Sequence, residues 1–255
     1  ESDIIQDRRT DWVLLAKPHR QDAEGRFLQV LDRMRCGYAQ HGDVEWINAH
    51  CKQTFDDTAT TLFPTNRKVR DYNDLKQTEL QDRVQGAGEC LLWEALDEGD
   101  SYLLDRQTRA PYTLDLYVGT RVMCIANLPE SGLVNGSIGD VTAIRHNAAE
   151  SFVTVQFRDR RTTFSTLELK RFDVEDEHGE CLGTRSTLPL DVAFALTAHK
   201  AQGLTLDKAN ISMHGVFAPA QAYVALSRVR EAAHAEVHNL FLWDLNKVDK
   251  EALDF

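Results

Sequence analysis

The chain has 255 residues, with 40 acidic against 29 basic side chains and a net charge of −11, a balance that argues against binding nucleic acid by counterion release over its whole surface. No apolar stretch reaches the roughly 18 to 20 residues of a membrane-spanning helix, and the first residues are polar, so the expected chain is soluble, with neither span nor signal peptide. Five cysteines without a C-x-x-C pair fit neither zinc spacing nor a disulfide framework, and an odd number suits reduced, intracellular thiols.

This length can bury one core with an insertion, or two small ones. Residues 1–11 are charged and without period. A short apolar run, Trp12 to Ala16, predicts a strand that delivers His19, Arg20 and Gln21. A helix follows, with Asp22 as its cap, Phe27, Val30, Leu31 and Met34 at helical spacing, and Gly37 as its stop. Arg20 therefore stands at a strand-to-helix junction. His41 to Cys51 reads as a second short helix with Asp43 as a cap. In TTLFPTNRKVRDYNDL a β-prone run ends at Pro64, and Thr65 and Asn66 precede a helix with Val69, Tyr72 and Leu75 inward. A hydroxyl and an amide at a helix start can cap the helix or hydrogen-bond a phosphate, and both readings stand.

Gln81 to Pro111 is acidic and weakly periodic, with loop-prone GAGE and DEGDS, and reads as a long surface connection. Leu114 to Ile125, Asp140 to Arg145, Ser151 to Phe157 and Thr162 to Leu169 then alternate or run β-branched, separated by turn-rich segments. Short strands in series predict a small β-barrel, in which Asn135, Gly136 and Gly139 are turn residues and Arg158, Arg160, Arg161, Lys170 and Arg171 read by default as solvated hairpin tips, with contact to DNA as the alternative. Arg185 to Leu190 returns the chain to the main sheet, to which Ala209 to Met213 and Val237 to Trp243 add strands.

The most chemical stretch is DVAFALTAHKAQGLTLD, residues 191–207. Its apolar run, Val192 to Leu196, predicts a buried strand, and Thr197, His199, Lys200, Gln202 and Gly203 follow at the strand end, where ligands sit in open α/β sheets. QAYVALSRVR, residues 221–230, predicts a buried helix that ends on Arg228 and Arg230.

These two stretches resemble motifs V and VI of superfamily-one DNA helicases, and in detail those of the PIF-one family. The resemblance extends to His19-Arg20-Gln21, similar to the family's F-R-Q motif IV with His19 in place of the aromatic, to the Thr65-Asn66 pair, and to GTRVMCIANL followed by GLVNGSIGDV, similar to the entry of the SH3-like 2B insert. It implies an α/β fold, a RecA-like parallel-sheet domain with an inserted small SH3-like β-barrel, divided as 1–118 and 187–255 for domain 2A and 119–186 for the insert. It also implies site roles. Arg20 and Arg228 would reach the γ-phosphate of ATP, Gln202 and Gly203 would line the nucleotide, and Thr65, Asn66, Thr197, His199 and Lys200 would hold single-stranded DNA, while Gln221 and Tyr223 pack or orient. ATP and Mg2+ would be bound mainly by an N-terminal RecA-like partner domain of the same protein.

The chain contains no G-x-x-x-x-G-K-[ST] loop, so by itself it is expected to be inactive as an ATP hydrolase. Related five-prime to three-prime helicases, including those of helitron transposons, share much of this pattern. Family membership would carry roles in DNA repair, recombination and telomere maintenance, in the nucleus or mitochondrion of a eukaryote or the cytoplasm of a bacterium. The competing reading is a module without catalysis that binds single-stranded DNA or a protein.

Overall fold

The computed structural model describes residues 19–21, 25–51, 58–83, 90–158 and 160–249, so the strand expected over Trp12 to Ala16 and the Asp22 cap lie outside the described residues. Helix α1, Arg26–Arg35, begins behind Gly25 and buries Phe27, Val30, Leu31 and Met34, the stripe that the periodicity predicts. It stops at Gly37, whose φ of 73° suits a residue without Cβ. Helix α2, His41–His50, starts one residue past Gln40. Asp43 is thus its third residue rather than its cap residue, and the carboxylate reaches back to the Gln40 amide at 3.0 Å.

Asp43 is almost wholly buried and takes hydrogen bonds from Arg33 Nε at 2.8 Å and Arg26 Nη2 at 3.3 Å. The Arg33 guanidinium holds its carboxyl below the usual carboxylate range, with the Gln40 amide and Arg26 adding to the effect against desolvation. A depressed folded value means that this stabilisation is present above the unfolded pKa and is lost as pH falls through the folded one. Asp43→Asn is therefore expected to cost about 2 kcal/mol near neutral pH, in urea unfolding, and progressively less below about pH 4. A deficit independent of pH would mean that the charge is not what matters.

The first core surrounds a four-stranded parallel sheet in the order β12-β1-β13-β14. Its strands are β1, Thr60–Phe63, β12, Ala195–Thr197, β13, Ala209–Ser212, and β14, Ala235–His238. The three leading strands are buried along nearly their whole length, as parallel strands covered on both faces must be. Helix α3, Asn66–Gln81, leaves the end of β1 and lies over β12. Asn73 fastens it there, accepting from Ala195 N at 2.7 Å and donating to the carbonyls of Ala195 and Val192. Because these contacts are polar, Leu75 is not needed inward. It is exposed, against expectation, whereas Tyr72 packs on Phe63 with ring centroids 5.6 Å apart.

The segment 81–111 is not a bare connection. It carries β2, Cys90–Glu94, β3, Leu96–Gly99, and helix α4, Ser101–Gln107, capped by Asp100. The β-rich unit continues with β4, Thr113–Tyr117, β5, Arg121–Cys124, β6, Ile138–His146, β7, Ser151–Phe157, β8, Arg161–Ser165, β9, Lys170–Glu175, β10, Cys181–Thr187, and β11, Leu190–Val192. Its main sheet has the order β11-β5-β6-β7-β8, with β3-β10-β9 and β2-β4 beside it. A separate core fills it, including Val122, Val141, Val153 and Val155 within residues 119–186 and Leu91, Leu114, Leu116, Leu188 and Leu190 on either side of them.

Arg185, on β10, is 2% exposed. Its guanidinium holds both oxygens of Asp97 on β3, at 2.8 and 2.7 Å, together with Asp105 on α4 at 2.7 Å and the Ala110 carbonyl at 3.0 Å.

Two expected strands change character. The run Val192 to Leu196 is split: Val192 ends β11, paired antiparallel with β5, while Ala195 begins β12 in the parallel sheet. The return to the main sheet therefore comes after Val192, not over Arg185 to Leu190. Val237 to Trp243 likewise divides into the end of β14 and a short helix, Leu242–Leu245, with Asn239 at φ 57° making the corner.

Candidate functional site

Because β1 and β12 are parallel, with Phe63 opposite Thr197, the segments that follow them leave the sheet on the same edge. That pairing brings Pro64, Thr65 and Asn66 beside Ala198, His199 and Lys200, although about 130 residues separate them. Thr65 caps α3, its hydroxyl accepting from Lys68 N at 3.5 Å, and Asn66 is exposed at the first helical position. Thr197 is 5% exposed, and its hydroxyl accepts from Lys200 N at 3.2 Å, turning the chain after β12. His199 is exposed. Lys200 is engaged, donating to Asp191 at 2.9 Å.

Helix α5, Gln221–Leu226, is tied to the same edge by buried Gln221, which donates to the Pro64 carbonyl at 2.7 Å and accepts from Phe217 N at 3.2 Å. Gln221 orients, as expected. Past this helix the chain presents Arg228, 7% exposed. Arg228 Nε donates to Val224 O at 2.7 Å, Nη2 to the Ser227 hydroxyl at 2.7 Å, and Nη1 to the carbonyls of Ala201 and Leu204 at 3.3 and 3.4 Å. Arg20 comes from the opposite direction in sequence and meets the same turn. Its Nη1 donates to Ser227 O at 2.8 Å, Nε to Thr205 Oγ1 at 3.1 Å, and Nη2 makes a long contact of 3.5 Å with Gly203 O. Gln21 braces the same backbone, donating to the carbonyls of Ser227 and Val229.

All these partners are neutral. Among the described residues no carboxylate lies within ion-pair distance of Arg20 or Arg228. Burial pushes Arg228 down to about 10, and neighbouring Arg20 lowers it further against a smaller opposing effect of Tyr223. Arg20 is lowered too, by burial first, with Tyr223 opposing and Arg230 adding to the fall. Two guanidiniums held together without a counter-charge form a site for an anion with several oxygens.

Gly203 adopts φ 88°, open to a residue without Cβ at no cost, which lets the loop after β12 turn back under Arg20. Gln202 and Gly203 line a cavity of about 200 Å³ together with Lys200, Leu204 and, from the β-rich unit, Asn135 and Gly136. Gly136 lies so close to Leu204 that a Cβ there would collide with its side chain. A larger cleft of about 590 Å³ lies between the β7–β8 turn and the start of β13 and contains none of the candidate residues. At its rim Arg158 pairs with Asp207 at 2.8 Å and Arg160 donates to Ser131 O at 2.6 Å, so these two arginines are tethers between loops, not simply solvated tips.

The expected residues thus form two groups. Arg20 and Arg228 are joined through Ser227, with Gly203 against Arg20, while Thr65, Asn66, Thr197 and His199 share the sheet edge, and Lys200 also lines the cavity beside Gln202 and Gly203. Thr205, Ser227 and Gln21 had no assigned role, although all three stand inside the stretches that carry the resemblance. Thr205 and Ser227 hold the arginine side chains and Gln21 holds the backbone they meet, contacts that residue type and spacing do not disclose.

A parallel sheet with polar loops at its carboxyl edge, an arginine pair at a helix end and a β-rich unit inserted between β1 and β12 define a RecA-like α/β domain with an inserted β-rich unit. Residues 103–144 match the family model described as DNA helicase Pif1, 2B domain. The ATP-dependent DNA helicase Pif1 of Bdellovibrio bacteriovorus is 30% identical over 213 residues, covering 82% of this chain and 46% of that protein. The human ATP-dependent DNA helicase PIF1 is 33% identical over 222 residues, covering 85% of this chain and 33% of its own. The crystal structure of Pif1 helicase from Candida albicans has a TM-score of 0.75 at 25% identity, over 93% of this chain and 58% of that one. Pif1 helicase from Bacteroides in complex with ADP-AlF3 and ssDNA has a TM-score of 0.69 at 26% identity, over 95% and 55%. The chain belongs to the Pif1 helicase family, where it corresponds to the C-terminal part, and it spans less than two thirds of each of these relatives.

Proposed function

We propose that the chain is the C-terminal motor domain of an ATP-dependent five-prime to three-prime DNA helicase, supplying arginine fingers to ATP and part of a single-stranded DNA track. The observation that carries this reading is the convergence of Arg20 and Arg228 on Ser227 with no carboxylate among the described residues to neutralise them. As the γ-phosphoryl group transfers, its equatorial oxygens share charge, and two forks of N–H donors fixed in advance stabilise that distribution. Arg20 would exchange its long contact with Gly203 O, and Arg228 its contacts with the Ala201 and Leu204 carbonyls, for phosphate oxygens, and the exchange is favourable because the carbonyls leave their charge uncompensated. Gln202 and Gly203 would approach the nucleotide from the loop that Arg20 braces.

The ATP would be shared with a first RecA-like domain that carries the phosphate-cradling loop, and residues 119–186 would act as the 2B insert between the two parts of domain 2A. The donor set here does not fit Mg2+, because two guanidiniums occupy the site; the ion would be held by the other domain. When bound there, it would neutralise phosphate charge, and the role of this chain is confined to its arginines and the loop beneath them.

On the sheet edge, Thr65, Asn66, Thr197 and His199 offer hydroxyl, amide and imidazole groups to a DNA backbone, and Lys200 would exchange Asp191 for a phosphate. With only half of the track present and a net charge of −11, the chain alone is expected to bind oligo-dT weakly and with steep salt dependence. Asn66→Ala combined with His199→Ala should raise Kd roughly fivefold to tenfold by fluorescence anisotropy at low salt, a loss of about 1 to 1.4 kcal/mol. Tight, salt-insensitive binding, or a double variant that binds like the parent, would remove the DNA track from this edge.

A further inference from the structure

Ser227 is the one described residue that hydrogen-bonds both arginines. It closes α5 as the C-cap, with its amide donating to Tyr223 O at 2.9 Å. Its carbonyl is one of the acceptors left unsatisfied at a helix end, and it takes Arg20 Nη1 at 2.8 Å and Gln21 Nε2 at 3.2 Å. Its hydroxyl donates to Val224 O at 3.1 Å and so turns a lone pair toward Arg228 Nη2, 2.7 Å away. At 4% exposure the residue has no freedom to seek other partners.

We propose that Ser227 is a positioning residue for phosphoryl transfer, which fixes Arg20 through its carbonyl and Arg228 through its hydroxyl so that both guanidiniums address one phosphoryl group. The inference rests on the reading of the two arginines given above and adds to it the means by which they act as a unit. Two like charges repel, and without a shared anchor Nη2 of Arg228 would lose the partner that keeps it turned toward Arg20. The Val224 carbonyl holds Nε at 2.7 Å, and the Ala201 and Leu204 carbonyls hold Nη1 only by the longer contacts of 3.3 and 3.4 Å, so the plane of the guanidinium is weakly fixed without a partner for Nη2. The hydroxyl at Nη2 fixes that plane, and a fork of donors is worth more than a point charge only when its plane is fixed.

The test is a double-mutant cycle in the complete ATPase, with the first RecA-like domain joined to this chain and single-stranded DNA saturating. Ser227→Ala retains the carbonyl for Arg20 and removes the hydroxyl that anchors Arg228 and donates to Val224 O. It is expected to lower kcat roughly tenfold to a hundredfold, with KM for ATP and the DNA concentration for half-maximal rate changed less than about twofold. Ser227→Thr keeps the hydroxyl and should restore most of kcat. Ser227→Cys keeps the volume but is a poor acceptor, so it should reproduce the alanine loss; recovery of kcat by cysteine would mean that alanine acts by loosening the helix end, and would overturn the positioning role. In an Arg228→Ala background Ser227→Ala should cost nothing more. Loss by the same factor in both backgrounds, or no loss in the parent, overturns the positioning role while the arginine reading stands. If Arg228→Ala itself leaves kcat unchanged, the arginine reading fails and the role of Ser227 falls with it.

Discussion

Arg228→Ala in the complete ATPase is expected to lower kcat by roughly 10³ to 10⁵, the range over which arginine fingers act, equivalent to about 4 to 7 kcal/mol of transition-state stabilisation. The side chain is buried, its donors are satisfied only by neutral oxygens, and burial with Arg20 nearby pushes it down to about 10. A cation whose folded value lies below its ordinary one is disfavoured by the fold at every pH below that folded value, neutral pH included. Removing it should therefore cost the free domain little, less than about 1 kcal/mol, because the loss of its hydrogen bonds is offset by relief of an uncompensated charge. Loss of rate with retention of stability is the expected pair of results. Arg228→Lys should recover little of the rate, since an ammonium replaces a planar fork by a point charge. DNA affinity should change little. The idea is lost if Arg228→Ala unfolds the domain, or if kcat stays within about tenfold of the parent.

Arg185→Ala is expected to do the opposite, destabilising the chain by about 3 to 5 kcal/mol, as removal of one partner from a buried ion pair does. Arg185 is as buried as Arg228, yet it holds both oxygens of Asp97 and one of Asp105, and these carboxylates raise its affinity for the proton. Its loss would leave Asp97, 11% exposed, without a counter-charge between β3 and β10, whereas Asp105, at 63%, would be hydrated again. Asp97→Asn should therefore approach the effect of Arg185→Ala, and Asp105→Asn should cost about 1 kcal/mol or less. Urea unfolding of the chain separates the three. Equal, small effects would mean that the cluster is incidental to the β-rich unit. The two buried arginines differ in what faces them, carboxylates at Arg185 and neutral oxygens at Arg228, and the paired measurements test whether that difference separates a residue that holds the fold from one that serves a ligand.

Local rules recovered those parts of the chain in which neighbours in sequence decide the outcome. The inward stripe of α1 and its stop at Gly37, the span of β7 and the cap at Thr65 follow from spacing, from positive φ at a glycine and from a hydroxyl before a helix. The stretches 191–207 and 221–230 were also sufficient to resemble the family and to nominate the site.

Where partners lie far away, the sequence misled. Residues 81–111 looked like a loop because β2 and β3 are short and β3 is acidic, and they become strands only by pairing with β4 and β10. Val192 to Leu196 looked like one strand because hydrophobicity does not record a change of sheet. Leu75 looked buried until Asn73 did the fastening. Residue type and spacing alone determined which side chains could carry the chemistry. Only the tertiary structure decided that Arg20 and Arg228 meet at Ser227 and that Lys200 rests on Asp191, because hydrogen bonds across about 200 and about 10 residues alike depend on where the backbone turns and not on how far apart the partners stand in the chain.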